Sequence, residues 1–162
     1  MVHPLNVGEV EPARLASLLA HIAANLRDQD RLEMDAMHGL APELVIPQAV
    51  LMSSHCWLAM DGEEPIAVFG AAPMALPGIG SVWFLGTDGV ARCGRSVARQ
   101  TVPLLDVMQE TYSVLWNHID ARNTVSLRWL RWCGFRLLGE HHPPSGHLFH
   151  LFARSAAPCA TL

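Results

Sequence analysis

The spacing of apolar residues changes near residue 54, and that change limits the folds open to this chain. From Pro12 onward, leucine and isoleucine recur at the three- and four-residue intervals of a helix. A second, acidic helical segment covers Asp28–Met37 and ends at Gly39, and Pro42–Ser53 suits a third helix that Pro47 disturbs. Beyond residue 54 the apolar residues fall into short runs of strand length. The sequence therefore predicts a helical first third followed by a sheet.

Two further helices interrupt the predicted strands in the rest of the chain. Pro103 must begin or kink the helix predicted over Val97–Tyr112. Asn123 or Thr124 caps a short helix that stops at Gly134, a residue type that favours a helix end. The predicted strands are Val2–Val7, His55–Met60, Pro65–Ala72, Ser81–Thr87, Ser113–Ile119, Phe135–Glu140 and His147–Ala153.

This order predicts an α/β (α+β) fold, a mixed sheet with helices on both faces. The 162 residues suit one domain, which we place at residues 1–153, with residues 154–162 as a C-terminal tail. In such sheets a ligand binds where a strand passes into the N-terminus of a helix. The segment Gly89–Ser96, predicted as a loop, is that place.

The charge of the chain is negative overall but unevenly divided. The net charge is −4, every basic residue is arginine, and residues 1–64 carry most of the acidic side chains. Such a chain lacks the basic surface of a general nucleic-acid binder, so no direct nucleic-acid contact is predicted. The more basic second half suits one local anionic ligand, although an unevenly charged, solvated surface is the simpler interpretation.

Other residue groupings exclude several classes of protein. Wide, irregular spacing of the cysteines excludes a zinc framework or a dense disulfide scaffold. The uncharged stretches 44–60 and 65–87 are too short, or too rich in proline and glycine, to span a bilayer, so no membrane span is predicted. A histidine-rich segment, residues 141–150, fits a solvated turn better than a metal site, and no metal is predicted.

Arg92-Cys93-Gly94-Arg95-Ser96 follows a buried strand and opens a helix. The free backbone N–H groups and the helix dipole favour a phosphate or pyrophosphate there. Arg95 and Arg99 lie four residues apart on one helix face and add positive charge. A plain turn with exposed arginines explains the same residues, so spacing alone leaves both interpretations open.

A more particular run follows. It consists of Leu115-Trp116-Asn117, Asn123-Thr124, Arg128-Trp129-Leu130 and Gly134-Phe135. An asparagine after a strand, a short helix, and Gly-Phe opening the next strand resemble the closing motif of the GNAT superfamily of N-acetyltransferases. The predicted order of elements is also similar to that fold, which has a mixed, mostly antiparallel central sheet.

This resemblance implies acetyl-CoA (or CoA) as the cofactor. In the family, a Gln/Arg-x-x-Gly-x-Gly/Ala loop binds the pyrophosphate of acetyl-CoA, whereas this chain has a version one residue shorter that ends in serine. On the resemblance, the strand end binds the pantetheine arm, the loop binds the pyrophosphate, and an asparagine lies near the cofactor. The implied residues are Leu85, Gly86 and Thr87 for the arm, Arg92, Gly94, Arg95 and Ser96 for the pyrophosphate, and Asn123.

Catalysis in the family needs a base for the acceptor amine and often an acid for the leaving thiolate. His118 or Asp120, at the end of the Ser113–Ile119 strand, is the predicted base, although a packed strand histidine explains His118 equally well. The family's usual acid is a tyrosine at the position that Leu130 occupies here. We therefore expect weak or narrowly directed acetyl transfer, or none.

A closer resemblance is to the small GNAT-like internal virion proteins of short-tailed bacteriophages, over roughly residues 55–153 and most specifically in the 115–135 run. It implies a phage acetyltransferase in the virion or the host cytoplasm, with virion or tail proteins, a host protein, a small amine or a second copy of the chain as partner. The alternative is an inactive structural component or host-factor-binding protein with the same fold. The mean hydropathy of +0.22 and the five tryptophans agree with burial against a partner.

Overall fold

A computed structural model describes residues 1–156 of the chain. Its strands are β1 (Val2–Asn6), β2 (His55–Asp61), β3 (Glu64–Pro73), β4 (Ile79–Gly86), β5 (Val114–Asp120), β6 (Arg136–His141) and β7 (Phe149–Ser155). Its α-helices are α1 (Pro12–Ala24), α2 (Asp28–His38), α3 (Pro42–Met52), α4 (Gly89–Arg92), α5 (Gly94–Thr111) and α6 (Thr124–Trp132). A single 3₁₀ turn, Val7–Glu9, follows β1.

The described strands form one sheet in the order β1-β2-β3-β4-β5-β7-β6. All neighbouring strands are antiparallel except β4 and β5, which are parallel because α5 carries the chain back between them. The predicted fold class, a mixed and mostly antiparallel sheet with helices on both faces, is confirmed.

Two groups of helices cover the two faces of the sheet. Helices α1, α2 and α3 pack on one face, where Ile22 and Ile46 are fully buried against Leu58 and Val68. Helices α5 and α6 pack on the other face, where a second cluster is built around Leu105, Met108, Leu115, Leu127, Phe135 and Phe152. A third cluster includes Val97 of α5 with Val2, Ala59, Ile66 and Ala67 of the sheet. The sheet therefore separates the core beneath α1, α2 and α3 from the apolar clusters beneath α5 and α6.

The predicted helix limits follow from local chemistry. Glu11 caps α1 by accepting the backbone N–H groups of Ala13 and Arg14. Gly39 ends α2 with φ of 62°, in the left-handed region that glycine adopts without strain. Asn123 caps α6 through its side-chain oxygen, as predicted.

The segment Gly89–Ser96 corrects the sequence-based prediction, since it is helical and not a loop. Thr87 accepts the Gly89 N–H through its hydroxyl and so starts α4, and α5 begins at Gly94 directly afterwards. Gly89 is required at that start, because a Cβ there would lie 2.5 Å from the Ile66 side chain. Pro103 lies inside α5, which continues from Gly94 to Thr111.

The end of the chain differs slightly from prediction. β7 begins two residues later than predicted and runs on to Ser155, so part of the segment predicted as a tail is strand. Residues 157–162, which include Cys159, lie outside the described residues. Within the described part, none of the helices combines the length and the apolar character that crossing a bilayer would need.

Candidate functional site

Strands β4 and β5 separate partway along their length. They pair only from Ile79 to Ser81, and beyond that point β4 and β5 share no ladder. The Asn117 side chain spans the start of the gap, since its Nδ2 donates to the Val82 carbonyl at 2.8 Å. We call this gap between β4 and β5 the split. It is the only interruption between strands adjacent in the sheet order among residues 1–156.

Phe84 presents its backbone to the split. In an antiparallel ladder, alternate residues direct their N–H and C=O groups to opposite sides of the strand. The Thr87 N–H donates to the Ile66 carbonyl of β3, so Val82, Phe84 and Gly86 direct theirs away from β3. The Val82 carbonyl accepts a hydrogen bond from Asn117. The Gly86 N–H and carbonyl are bonded to Asp30 of α2 and to Arg27 before it. The Phe84 N–H and C=O remain available in the split.

The predicted pantetheine-binding residues Leu85, Gly86 and Thr87 have their backbone groups engaged within the protein. The Gly86 N–H donates to Asp30 Oδ2 at 2.8 Å, and the Gly86 carbonyl accepts the Arg27 N–H at 2.9 Å. Leu85 faces β3 in the ladder, and Thr87 is bonded to Ile66. The prediction for these three residues stays a prediction, and in this conformation Phe84 is the open position.

Helix α2 bridges the split near the end of β4. Asp30 binds the β4 side through Gly86, and its carboxylate also accepts two hydrogen bonds from Arg27 at 2.7 and 2.9 Å. One turn later, Glu33 Oε1 accepts Asn123 Nδ2 at 2.8 Å, on the side of β5 and α6. Two carboxylates spaced at i and i+3 therefore hold the two sides of the split together.

Sequence reasoning missed both Asp30 and Glu33. The available signal was the acidic segment Asp28–Met37, in which these two residues fall on one face of a helix. Their partners lie 56 and 90 residues away, at Gly86 and Asn123. Nothing in the local sequence indicates those partners.

Burial changes the acidity of both carboxyl groups. Burial raises the pKa of Glu33 to about 7, the Asn123 amide opposes the rise, and the carboxylates of Asp30 and Asp120 add to it. Burial also raises the pKa of Asp30, against the opposing effects of Arg27 and of the Gly86 N–H. Glu33 is thus a carboxyl group that exchanges its proton near neutral pH.

A cavity of about 550 Å³ opens beside the split on the α2 and α3 side of the sheet. That volume lies in the usual range of small-molecule sites. Polar side chains at its floor are Arg27, Asp30, Glu33, Asn117, His118 and Asn123. The rest of its lining, which we call the outer wall, is mainly apolar and rich in methionine, with Met34, Met37, Leu40, Val45, Met52 and Met74, and also carries His38 and Gln48. A smaller apolar cavity of about 70 Å³ on the α5 and α6 side shares Val82, Phe84 and Trp129 with it, so the two adjoin at the split.

His118 faces this larger cavity from β5. Its ring lies edge-on to Trp116, with ring centroids 5.2 Å apart, and 4.5 Å from the ring of His141. Burial lowers the pKa of His118, and the neighbouring His141 lowers it further. Both effects favour the neutral form of the His118 imidazole, which lines the cavity, and its role as the base stays a prediction.

Asp120 lies at the same end of β5 but is enclosed. Its side chain is fully buried, and it accepts the Arg122 backbone N–H at 2.8 Å and the guanidinium Nη2 at 2.6 Å. Burial raises the pKa of Asp120, but the combined bonds and charge of Arg122 outweigh burial, and the pKa lies below its ordinary value. The geometry thus assigns the Asp120 carboxylate to the turn that leads into α6.

The predicted phosphate-binding residues surround the start of α5. Helix α5 begins at Gly94, and a Cβ on Gly94 would meet nothing within 4 Å. Arg95 is exposed, whereas Arg92 lies 3.2 Å from both carboxylate oxygens of Glu64. Ser96 donates its backbone N–H to the Cys93 carbonyl. The helix start is open, and one of its arginines is paired with an acid.

The structure supplies no tyrosine to the cavity. Leu130 lines both cavities, as its place in α6 predicts. Tyr112, the single tyrosine of the chain, is buried in the core beneath α5, and its hydroxyl is bonded to that of Ser54. Trp132, the last residue of α6, is 60% exposed and lines neither cavity.

Possible metal ligands do not gather anywhere in the described residues. Of the histidines predicted to flank a turn, His141 lies at the end of β6 and His150 in β7, on paired strands. Among residues 1–156, no group of three or more His, Cys, Asp or Glu side chains is arranged to hold a metal ion.

Comparison with known proteins gives a fold and no closer relationship. No family model and no curated protein matches the chain. A GNAT-family acetyltransferase from Streptococcus pneumoniae superposes with a TM-score of 0.68 at 13% identity, covering 97% of this chain and 100% of its own. The ribosomal-protein-S18-alanine N-acetyltransferase of Escherichia coli gives 0.65 at 11%, covering 100% and 99%. A Bacillus subtilis acetyltransferase in complex with CoA gives 0.64 at 9%, covering 96% and 99%. The chain has the GNAT fold over its whole described length.

Proposed function

We propose that this protein binds an acyl-CoA in the split and transfers the acyl group, most simply acetyl, to an amine. The observation that carries the proposal is the split itself, with the Phe84 N–H and C=O facing it and a cavity on each side of the sheet. A narrow arm can lie in such a gap and pair with one strand edge. The similarity in fold to an acetyltransferase solved in complex with CoA supports CoA as the ligand.

The residues present fit acetyl-CoA at two places. Phe84 offers one backbone donor and one acceptor to the pantetheine arm, whose amides need both. The start of α5 offers a helix N-terminus, open space at Gly94 and the exposed Arg95 and Arg99 to the phosphates. Bound there, acetyl-CoA supplies an activated thioester carbonyl next to the larger cavity.

The larger cavity suits an amine acceptor. Its floor carries the carboxylates of Asp30 and Glu33, which favour a cationic ammonium group. Its outer wall is mainly apolar, so the acceptor is expected to carry an apolar stem beside the amine.

Calorimetry with CoA and purified protein tests the binding half of this proposal. We expect saturable heat at millimolar CoA, reduced in Arg95→Ala and unchanged in Arg136→Ala, since both arginines are exposed and only the first lies at the start of α5. A thiol-release assay with acetyl-CoA and a panel of primary amines tests the transfer half. No heat with a folded sample would overturn the proposal.

A second function is supported by the surface. Leu44, Leu51, Met52 and Leu76 are each more than 60% exposed, on α3 and on the turn between β3 and β4. Exposed apolar groups of this size favour a protein partner. Together with the resemblance to internal virion proteins of short-tailed phages, they support a virion or tail protein, a host factor or a second copy of this chain as that partner. Mass spectrometry of purified phage particles tests the virion assignment, which absence from particles would overturn.

A further inference from the structure

We propose that Glu33 is the group that accepts the proton lost by the acceptor amine, and that Asn123 positions it. This inference rests on the proposed acyl transfer and names a residue for one of its steps. The proton acceptor is then on α2, whereas the sequence analysis placed the base at the end of β5.

The Glu33 carboxylate is held by one oxygen only. Oε1 accepts Asn123 Nδ2 at 2.8 Å, while Oε2 makes no hydrogen bond within residues 1–156. Oε2 is also not a buried unsatisfied atom, so it is open to the cavity that Glu33 lines. One fixed and one open oxygen is the arrangement that lets a carboxylate take a proton without leaving its place.

Asn123 can present only its amide nitrogen to Glu33. Its Oδ1 already accepts the Ser126 N–H at 3.1 Å as the cap of α6, so the rotation of the side chain is fixed. Asn123 is itself buried, with 6% of its surface exposed. The cap of a helix on one side of the split therefore orients a carboxylate that belongs to a helix on the other side.

Charged groups from every surrounding element act on Glu33. Asp30 on α2 and Asp120 on β5 raise its proton affinity, and Arg27 before α2 lowers it. Arg122, after β5, also faces it, and His118 lies on the same cavity wall. When Glu33 is ionised, three carboxylates and two arginines surround this corner of the cavity, and the net negative charge attracts an ammonium before its proton is lost.

Glu33 is better suited than the neighbouring groups. Asp30 has its two oxygens bonded to Arg27 and Gly86, and Asp120 has both bonded to Arg122. His118 carries no negative charge in either protonation state and so attracts no cation. Among residues 1–156, only Glu33 offers both a negative charge when ionised and an open acceptor atom in this cavity.

The proton balance of the transfer is simple. The ammonium gives its first proton to Glu33 Oε2, which passes it to solvent and becomes a carboxylate again, and the nitrogen lone pair is thereby freed. The amine nitrogen then bonds to the acyl carbon while the carbon–sulfur bond breaks and sulfur leaves with the electron pair. The second proton on nitrogen goes to Glu33 Oε2, which returns it to solvent, and solvent protonates the sulfur.

The first test is the pH dependence of turnover with acetyl-CoA and hexylamine, an amine on an apolar stem. For the wild type, kcat/KM should rise with pH through an inflection near 7. Glu33→Gln keeps the bond from Asn123 but cannot take a proton, so kcat should fall by about 100-fold or more and the inflection should vanish. Glu43→Gln, an exposed glutamate on α3, is the matched control and should change neither.

Asn123→Ser tests the positioning role. Serine keeps the cap of α6 but removes the amide that holds Glu33. Because that amide lowers the pKa of Glu33, the inflection should move to higher pH in this variant. An unmoved inflection would overturn the role of Asn123.

A readout independent of turnover is the NMR titration of the Glu33 carboxyl carbon in the free protein, with and without hexylamine. We expect an inflection near pH 7 that hexylamine lowers. A carboxyl that titrates near 4.5, or a Glu33→Gln variant with the wild-type kcat and pH profile, overturns this inference alone. A wild type that binds neither CoA nor hexylamine and shows no turnover overturns the proposed function with it.

Discussion

Two regions beside the proposed ligand site, the cavity end at the split and the start of α5, differ in charge and in burial. At the cavity end, the carboxylates of Asp30 and Glu33 are enclosed between helix and sheet, and each is bonded to a residue distant in sequence. At the start of α5, Arg92, Arg95 and Arg99 are exposed, and Arg92 is paired with an acid at the surface. Charge acts strongly where water is excluded and weakly where it is not. The carboxylates beside the cavity are therefore expected to determine the free energy of unfolding and proton transfer. The arginines at the start of α5 are expected to adjust the affinity for CoA.

The largest expected effect is the loss of the Asp30 carboxylate. Asp30→Ala leaves the Arg27 guanidinium, whose side chain is 19% exposed, and the Gly86 N–H without their acceptor. Breaking such a buried pair should lower the free energy of unfolding by about 3 kcal/mol, measured by urea denaturation. Asp28→Ala, an exposed acid in the same helical turn, should cost less than about 1 kcal/mol. Equal decreases in the free energy of unfolding for Asp30→Ala and Asp28→Ala would contradict the difference between buried and exposed charges.

The next effect is a pH-dependent change in stability at Glu33. Its pKa is about 7 in the folded protein and near 4.5 when exposed, so the folded state binds more protons between these values and loses stability as the pH rises. Glu33→Gln removes that loss. The free energy of unfolding of Glu33→Gln minus that of the wild type should therefore increase by on the order of 1 to 3 kcal/mol from pH 5 to pH 9. Urea denaturation across that range measures it, and a constant difference would contradict the raised pKa.

A smaller effect is expected at the surface pair Arg92–Glu64. If Arg92 contacts a phosphate of CoA, Glu64→Gln frees it and should raise CoA affinity about two- to fivefold at low salt, while Arg92→Ala lowers affinity by a similar factor. Both changes should shrink at high salt. Glu63→Gln is the control, because Glu63 contacts Arg14 instead. Calorimetry with CoA measures all three, and a loss of affinity in Glu64→Gln would show that Arg92 acts only through Glu64.

The smallest effect is expected at His118. If Glu33 takes the proton, His118→Ala should change kcat by less than about threefold, since removal of a true general base costs about 10² to 10⁴. Steady-state turnover with hexylamine at pH 8 measures it. A hundredfold loss there, with Glu33→Gln unaffected, would assign the base to β5, where the sequence placed it.

Much of the fold could be predicted from the sequence, because periodicity and end signals are local. The strands around the Asp61–Glu64 turn, the cap at Asn123 and the end of α2 at Gly39 all lie close to their predicted places. The helical form of Gly89–Ser96 was missed because glycine and arginine there resemble a loop. The contact between Gly89 and Ile66 that fits α4 onto the sheet is not visible in a local window.

The candidate site divides in the same way. The sequence by itself determined the mixed sheet, the helix that follows β4 and the asparagine cap of α6. It also determined that leucine, and not tyrosine, stands at position 130. Only the tertiary structure decided that Phe84 carries the open backbone groups, that Asp30 and Arg27 cover Gly86, and that Glu33 lies against Asn123. The physical reason is that a carboxylate's proton affinity depends on the water excluded from it and on the charges around it. For Glu33, Asp30 and Arg27 are near in sequence, but Asn123 and Asp120 are about 90 positions away and reach Glu33 only when the chain folds.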